Sequence, residues 1–592
     1  MQKEFSSRSR LHTSEIEPAT QGPPLFLMSL QQHHIPEMDA NLGGYSQRVA
    51  TTSAECQAWF DRGCVWAWGL HREEALACFV RAAEKDPSCA MAHWGVAFAN
   101  GPEYNWNESG GFYGAAAQPE GFPSFKVAAD AIAKATAALN AESPPREHAL
   151  IQALSTLFEW PVTPEAPERK SAYADAMEGV ATDPRFAADA DIQSLAADAV
   201  MSLAPWKLYE ADKTPKPVAL RAKAHLVRGL EAAPAHMYLC HLRIHLDEMG
   251  PVADFDWVSA EALRATDAID CGHLLHMPTH LDIQVGEYER AMVWNQKAVA
   301  ADLRQLARAP GRFSIYTGYL VHNLEFTVWA AMYAGCQGAA LDACDQIDTF
   351  LDEARLRTHP MLASFFEAYT ATRMMALVRF GRWETILALP FKDDRDLYTA
   401  HTLFLHFARG IALGAMGDVA GARDHQIAFS TIRAALAPDT RRKHNVNLCE
   451  HTAPIAADVL EGELCYREGQ FDACFAALEA GVAKYDALPY DEPAGYLMSP
   501  RQTLGALLAE RGHHARAVGV YERDLKIFPK NVWSLAGLAT CLRHVGGDGA
   551  RLVVVQAELA DARAKADVKV GASCACALEN WKRGASEAFG EP

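Results

Sequence analysis

Seven of the 23 histidines fall between His236 and His322, in the segments HMYLCHLRIHLDE, HLLHMPTH and YLVHNLEF. In the first segment, His241, His245 and Glu248 follow the spacing i, i+4, i+7, which places them on one face of a helix. A histidine pair at i, i+4 can hold one divalent metal ion. The segment therefore predicts a metal-binding helix face, with Glu248 as a third ligand or as a base.

The second segment places His273, His276 and His280 at i, i+3, i+7. Pro278 either kinks this helix or starts it afresh. In the second case His276 stands at the start of the new helix and His280 in its first turn, so these two rank ahead of His273. The third segment adds one more candidate, and the predicted ligands are His241, His245, His276, His280 and His322. We expect His236 and His273 to be structural.

Three or four neutral imidazoles with a carboxylate form a ligand set for zinc, copper, iron or nickel. Two other interpretations stay open. Histidines in helical repeats also form hydrogen bonds with the backbone or with acids between helices. A metal-free cluster could bind an anionic substrate or act in general acid–base chemistry. The sequence contains no nucleotide-binding glycine motif, so no organic cofactor is expected.

Helical hairpins are predicted to position these histidines. HREEALACFVRAAEKDP, GEYERAMVWNQKAVAAD and GHHARAVGVYERDLKIFP follow the second half of the 34-residue tetratricopeptide repeat, and GRWETI, GDVAGA and GQFDAC are weaker copies. Strand signals are nearly absent. We therefore expect an all-α, right-handed solenoid over residues 46–566 with a core that is continuous along the stack. His276 and His322 would lie on neighbouring helices about 10 Å apart, close enough for their rings to converge.

Three stretches rich in glycine, proline and aromatic residues interrupt the repeats, at 101–123, 203–217 and 487–501. Long loops on a helical solenoid commonly fold over its concave surface, although plain surface loops are an equal alternative. Tyr490 and Glu492 lie in the third stretch. We treat them as catalytic candidates, with Glu492 as an acid, a base or a ligand, while ordinary turn chemistry also explains them.

Several blocks resemble one subgroup of tetratricopeptide-repeat proteins from bacteria and fungi. The most specific are HLLHMPTH (273–280) and YDALPYDEPAGY (485–496), and the resemblance extends from residue 42 to residue 576. It implies a solenoid fold and a recurrent set of histidines, but it does not supply an activity. The chain departs from the pattern at Glu325, where a second histidine is frequent, and at Glu103, where asparagine is usual. A ligand role is therefore not carried over to either position.

The net charge of −19 argues against nucleic acid and anionic membranes as partners. Residues 1–45 have no signal-peptide core and predict a poorly ordered arm in a cytoplasmic protein. The tail, 567–592, carries Cys574 and Cys576, expected as two packed thiols. Two functions follow: a metal-dependent site for a small molecule, with the reaction open, or a non-catalytic scaffold that binds a peptide in its concave groove. A homo-oligomer is compatible with either.

Overall fold

The computed structural model describes residues 40–105, 122–163, 168–309, 312–436, 443–444, 447–546 and 549–577. Most of the expected N-terminal arm, the middle of the first loop and the end of the tail lie outside these ranges. Within them the protein is helical apart from two strands of two residues each, β1 (Lys443–His444) and β2 (Asn447–Leu448), which pair antiparallel. The expected all-α class is confirmed.

Most of the helices follow one another with short connections. In chain order they are α1 (Ala54–Trp68), α2 (Arg72–Lys85), α3 (Ala90–Ala99), α4 (Phe125–Ala138), α5 (Pro145–Ser155), α6 (Arg169–Thr182), α7 (Ala190–Met201), α8 (Pro217–Ala232), α9 (Met237–Asp247), α10 (Trp257–Arg264), α11 (Gly272–His276), α12 (Pro278–Gln284), α13 (Tyr288–Arg308), α14 (Tyr316–Ala334), α15 (Gln337–Phe350), α16 (Glu353–Thr358), α17 (Pro360–Tyr369), α18 (Thr372–Arg379), α19 (Trp383–Ala388), α20 (Thr399–Met416), α21 (Val419–Ala435), α22 (Cys449–Arg467), α23 (Phe471–Asp486), α24 (Pro500–Glu510), α25 (His514–Ile527), α26 (Val532–Val545) and α27 (Gly549–Lys565).

Glycines in the left-handed backbone region mark the turns between many of these helices. This conformation is easy for glycine and costly for residues with a Cβ. Five glycines that begin the repeat motifs adopt it, and so does one more after α14; their φ angles lie between 64° and 94°: Gly286, Gly335, Gly381, Gly417, Gly469 and Gly512. Helices that are consecutive in the chain also pack against each other, for example α1 on α2 and α22 on α23. The fold therefore resembles a chain of helical hairpins.

The apolar core is divided into two large clusters, formed by residues 40–281 and 283–577. The expectation of one continuous core is wrong at this boundary. The cause is a set of buried polar side chains on α11, α12 and α13, which replace the apolar side chains that would join the clusters: His273, His276, Thr279, His280, Asp282, Asn295 and Asp302. A fold that buries so many polar groups together must give them hydrogen-bond or ion partners.

The C-terminal segment differs from its expectation in one respect. Cys574 and Cys576 were expected as two thiols, but their sulfurs are joined in a disulfide. The other twelve cysteines form no disulfide within the described residues. Across the described ranges, no helix has both the length and the apolar character that crossing a membrane requires.

Candidate metal centre

Helix α9 carries the first histidine pair. All of its residues are buried, and the one-face spacing brings the rings of His241 and His245 to 4.9 Å between centroids. Glu248 follows directly as the C-terminal capping residue and is also buried. His236 lies at the other end, where its side chain accepts a hydrogen bond from the Leu239 N–H and its Nε2 lies 3.0 Å from Asp191. The expected structural role of His236 agrees with these contacts.

The second pair lies where α11 ends and α12 begins. Pro278 starts α12 afresh, so His276 ends one helix and His280 stands in the first turn of the next. Their rings are 4.5 Å apart. Helix α14 then brings His322 alongside, with its Nε2 3.1 Å from the Nε2 of His276. The convergence expected of neighbouring helices is therefore observed.

The first triad consists of His241, His245 and His273, and one ring nitrogen from each lies within 4.8 Å of the other two. The Nδ1 of His241 lies 2.6 Å from the Trp68 carbonyl, and the Nδ1 of His245 lies 2.9 Å from a Glu248 oxygen. Among the described residues, the Nε2 atoms of both rings and both nitrogens of His273 are buried without a hydrogen-bond partner. The structure thus brings His273, which was expected to be structural, next to two of the predicted ligands.

The second triad consists of His276, His280 and His322, again within 4.8 Å. The Asn295 amide fixes the tautomer of His276. Its Nδ2 donates to the Ala291 carbonyl at 2.8 Å, so its Oδ1 is the atom that lies 2.6 Å from the Nδ1 of His276. The Nδ1 of His276 therefore carries the proton, and its Nε2 presents a lone pair.

The Nε2 of His280 lies 2.6 Å from the Nε2 of His276, the atom that presents this lone pair. The Nδ1 of His280 faces Glu248 at 2.5 Å and Glu492 at 2.7 Å, so it donates toward the carboxylates. If His280 is neutral, two nitrogen lone pairs face each other at 2.6 Å. That arrangement is repulsive unless a proton or a cation lies between them. The second triad is therefore a position that holds positive charge.

Burial and the carboxylates set the protonation of the cluster. Burial lowers the pKa of His241 to about 3 and the pKa of His245, His273 and His276 well below the usual value, so these four imidazoles are neutral. Burial also lowers the pKa of His280, but Glu492 and Glu248 outweigh it and raise the value to about 10. Without a metal ion, His280 holds the shared proton.

Glu248 connects the two triads. One carboxylate oxygen contacts His245 of the first triad and the other contacts His280 of the second. Burial, with Glu492 close by, raises the pKa of Glu248 well above its usual value. Burial would raise the pKa of Glu492 as well, but His280 outweighs it and the net shift is downward. Together with His245, the two carboxylates form a third group whose spacing could hold a cation.

Residues from all three interrupting loops meet at the cluster. Tyr104 and Trp206 come from the first two loops, and their rings lie 5.0 and 5.8 Å from the His245 ring. Tyr490, from the third loop, stacks on Trp206 at 6.3 Å and donates a hydrogen bond to Glu492 at 2.8 Å. In the described parts of these segments, Tyr104, Trp206 and Tyr490 form an aromatic wall beside the first triad.

Glu103 and Glu325, the two positions at which the sequence departs from the proteins it resembles, contact groups outside the histidine cluster. Glu103 pairs with buried Arg72 at 2.9 Å and accepts a hydrogen bond from Tyr319 at 3.0 Å. Glu325 accepts from the Thr372 hydroxyl at 2.6 Å. Both carboxylates serve contacts between helices. Leaving them out of the candidate ligands agrees with these contacts.

Sequence reasoning did not find Asn295, which orients His276, or the Trp68 carbonyl, which orients His241. Asn295 lies four residues after Ala291, on the face of α13 that the repeat motif assigns to packing. A polar amide at such a position was a signal that could have been used. The Trp68 contact is made by a backbone carbonyl 173 residues away, and no residue type indicates it.

Compared with known proteins, the chain matches no protein-family model, and no curated protein matches it. The function is therefore argued from the geometry of the histidine cluster. Within each triad, the three ring nitrogens are close enough to one another to bind one metal ion. Ligating histidines normally donate their other ring N–H to a carbonyl or carboxylate. His241, His245, His276 and His280 have such an oxygen at Nδ1, so the cluster fits transition-metal ligation.

Proposed function

We propose that the histidine cluster binds two transition-metal ions, one in each triad, and acts on a small molecule. The observation that carries this proposal is the pair of His276 and His280 Nε2 atoms, 2.6 Å apart with both Nδ1 atoms engaged by oxygens. A metal ion in place of the shared proton would require the two Nε2 atoms to move apart, because each imidazole nitrogen lies about 2.0–2.1 Å from a bound ion. The scaffold would be a right-handed solenoid of the tetratricopeptide type, supported by the recurring left-handed glycine turns.

The donor set limits the choice of ion. His241, His245 and His273 would hold one ion, and His276, His280 and His322 the other. Ligands made mainly of imidazole suit zinc, copper, iron or nickel rather than magnesium or calcium, which prefer oxygen. Such ions would supply Lewis-acid activation of water or substrate, or electron transfer if they are copper or iron.

The surrounding residues would perform the remaining tasks. Glu248 orients His245 and His280 and, because it touches both triads, couples one ion to the other. Asn295 orients His276. Glu492, bound to His280 and to the Tyr490 hydroxyl, is placed to accept or return a proton at its carboxylate oxygen. Trp206 and the other loop aromatics would exclude water and offer an apolar surface to the substrate.

The test is metal content. The full chain, purified without a histidine tag and dialysed, should contain two equivalents of a transition metal by elemental analysis. His241→Ala and His322→Ala remove one ligand from different triads, so each should lower the content toward one equivalent. His236→Ala is the matched control, because this residue lies on the same helix as His241 but binds Asp191. It should retain two equivalents.

Chelation adds a second readout. Metal bound only to the folded state stabilises it, so removing the metal should lower the melting temperature of the wild type. A protein that contains no transition metal, cannot be loaded with one, and melts unchanged with chelator would refute the proposal. The histidines would then be structural, and the remaining function would be a scaffold that binds a peptide in its groove. One equivalent that disappears in both variants would refute the two-ion arrangement.

A further inference from the structure

The six histidines of the two triads differ in how much of each residue meets solvent. Five of them are buried, with at most 2% of the residue exposed: His241, His245, His273, His276 and His280. His322, which belongs to the second triad, is partly exposed. The histidine cluster therefore meets solvent at the second triad.

Aromatic rings cover the first triad. The aromatic wall of the three loops lies beside His245. The Tyr238 ring lies 6.0 Å from the His241 ring, and the Tyr319 ring lies 4.6 Å from the His273 ring. Tyr238 is fully buried, whereas Tyr319 is partly exposed.

Tyr319 stands on the solvent side of the first triad. It precedes His322 by three residues on α14, so the two side chains lie on one face of the helix. Both are partly exposed, but only His322 belongs to a triad. The Tyr319 ring therefore covers His273 on the side where His322 meets solvent.

A buried ion pair holds Tyr319 in this position. The Tyr319 hydroxyl donates to Glu103 at 3.0 Å, and Glu103 pairs with Arg72 at 2.9 Å. Arg72 also donates to the Phe98 carbonyl at 3.0 Å, which fixes the pair to α3. If the ring swung aside, the buried Glu103 carboxylate would lose one of its hydrogen bonds, and such a loss is costly. Tyr319 is therefore a fixed cover.

The number of ligands makes this difference in exposure chemically important. Three protein ligands leave one position of a tetrahedral ion for water or substrate, and catalytic sites keep that position open, whereas structural sites are closed. At the first triad Tyr319 and the aromatic wall lie in the way of such a ligand. At the second triad it can approach past His322. The imidazoles are neutral when they bind an ion, so the ion keeps its positive charge and favours an anionic fourth ligand.

We propose that the substrate binds to the ion of the second triad through an anionic oxygen or nitrogen atom, while Tyr319 keeps the ion of the first triad closed. This inference rests on the two-ion function proposed above. Tyr319 decides which ion meets the substrate without touching a reacting atom, so it is a positioning residue. The aromatic wall extends to the second triad as well, because Tyr490 is bound to Glu492, which contacts His280.

The experiment uses the full chain loaded with cobalt(II) and azide as the probe. Azide is a small anion that binds metal ions through nitrogen, and the visible absorption of cobalt(II) changes when a new ligand binds. Elemental analysis counts the cobalt before azide is added. His241→Ala should keep cobalt only in the second triad, and azide should change its spectrum. His322→Ala should keep cobalt only in the first triad, and its spectrum should stay unchanged.

The role of Tyr319 is tested in the His322→Ala chain. Adding Tyr319→Ala removes the ring that covers the first triad, so azide should now change the cobalt spectrum. Adding Tyr319→Phe is the matched control, because it removes the hydroxyl but keeps the ring, and its spectrum should not respond. Circular dichroism checks that both double variants are folded. If the alanine variant is not, the two single histidine variants decide the inference.

Three results would overturn the inference: a response to azide in His322→Ala, no response in His241→Ala, or no response in the folded variant that lacks both His322 and the Tyr319 ring. Each of them leaves the two-ion arrangement standing, because the cobalt has already been counted. A chain that takes up no cobalt or other transition metal refutes the proposed function itself, and the inference falls with it.

Discussion

Asp302 should make the stability of this protein depend strongly on pH. It lies on α13, 2% exposed, and its two oxygens accept hydrogen bonds from the Tyr316 hydroxyl and the Asn323 amide, both at 2.9 Å. Burial outweighs these bonds and raises the pKa from 3.8 to about 7. The folded state thus binds a proton that the unfolded chain has released between these two values. The free energy of unfolding therefore falls as pH rises through this window.

The size of the effect follows from the pKa shift. A shift from 3.8 to about 7 corresponds to about 4 kcal/mol, since each unit is worth about 1.4 kcal/mol. Asp302→Asn removes the ionisable group, and with it this loss in the free energy of unfolding. The new amide can donate to the Oδ1 of Asn323, which is buried without a hydrogen-bond partner in the described structure. Allowing about 1 kcal/mol for imperfect hydrogen bonds, we expect a gain of about 3 kcal/mol at pH 8.

At pH 5 Asp302 is already protonated in the folded wild type, and its raised pKa lowers the free energy of unfolding by about 1.6 kcal/mol. The expected gain in the free energy of unfolding of Asp302→Asn at this pH is therefore under about 1 kcal/mol. Urea unfolding followed by circular dichroism, for both proteins at both pH values, measures the difference. Asp86→Asn is the control of opposite sign, because hydrogen bonds from Ser88 and Thr51 lower the pKa of Asp86. A variant at position 302 that is less stable than wild type at pH 8, or whose gain is the same at both pH values, would refute the reasoning.

Three further predictions concern the turns and the cluster. Gly417→Ala should lower the free energy of unfolding by about 1–2 kcal/mol, because its left-handed backbone disfavours a Cβ. Gly286→Ala should lower it by more, because the added Cβ would also meet the Pro529 carbonyl oxygen at 2.3 Å, whereas the Cβ at position 417 meets nothing. Equal losses in urea unfolding would contradict this. Asn295→Leu should weaken metal binding by about 10–100-fold in competition with a chelator, since His276 loses the group that fixes its tautomer; unchanged affinity would show that Asn295 has no positioning role. Transition metal added back after removal with a chelator should raise the melting temperature of the wild type, and no rise at millimolar metal would count against the site.

The glycines show what could be predicted from the sequence. Gly286 and Gly512 begin repeat motifs that predict a helical hairpin, and both lie in a turn between two helices, with a left-handed backbone. The turn conformation is a local property of few residues, so sequence patterns identify it. An interruption of the helix at Pro278 was predictable for the same reason, because proline acts on its own backbone and on the preceding turn, but the sequence left open whether the helix is kinked or starts afresh.

The composition of the triads was not predictable in the same way. His273 was set aside because its spacing suggested the far side of the proline break, but the packing of α11 on α9 brings its ring 4.9 Å from that of His241. Glu492 was a candidate acid, base or ligand because of its place in a loop, but nothing in its neighbourhood indicates a contact with His280, 212 residues earlier. Such contacts depend on how helices and loops are oriented in space, which periodicity does not encode.

The meeting of the three loops at the histidine cluster has a consequence for how the protein is made. Glu492 is synthesised 170 residues after His322. At about 5–20 residues per second, this interval lasts roughly 10–30 s. During that time the six histidines of the two triads have been synthesised, while the carboxylate that contacts His280, and the tyrosine beside it, have not. A metal ion that binds as proposed would, in this period, meet a cluster that the third loop does not yet cover.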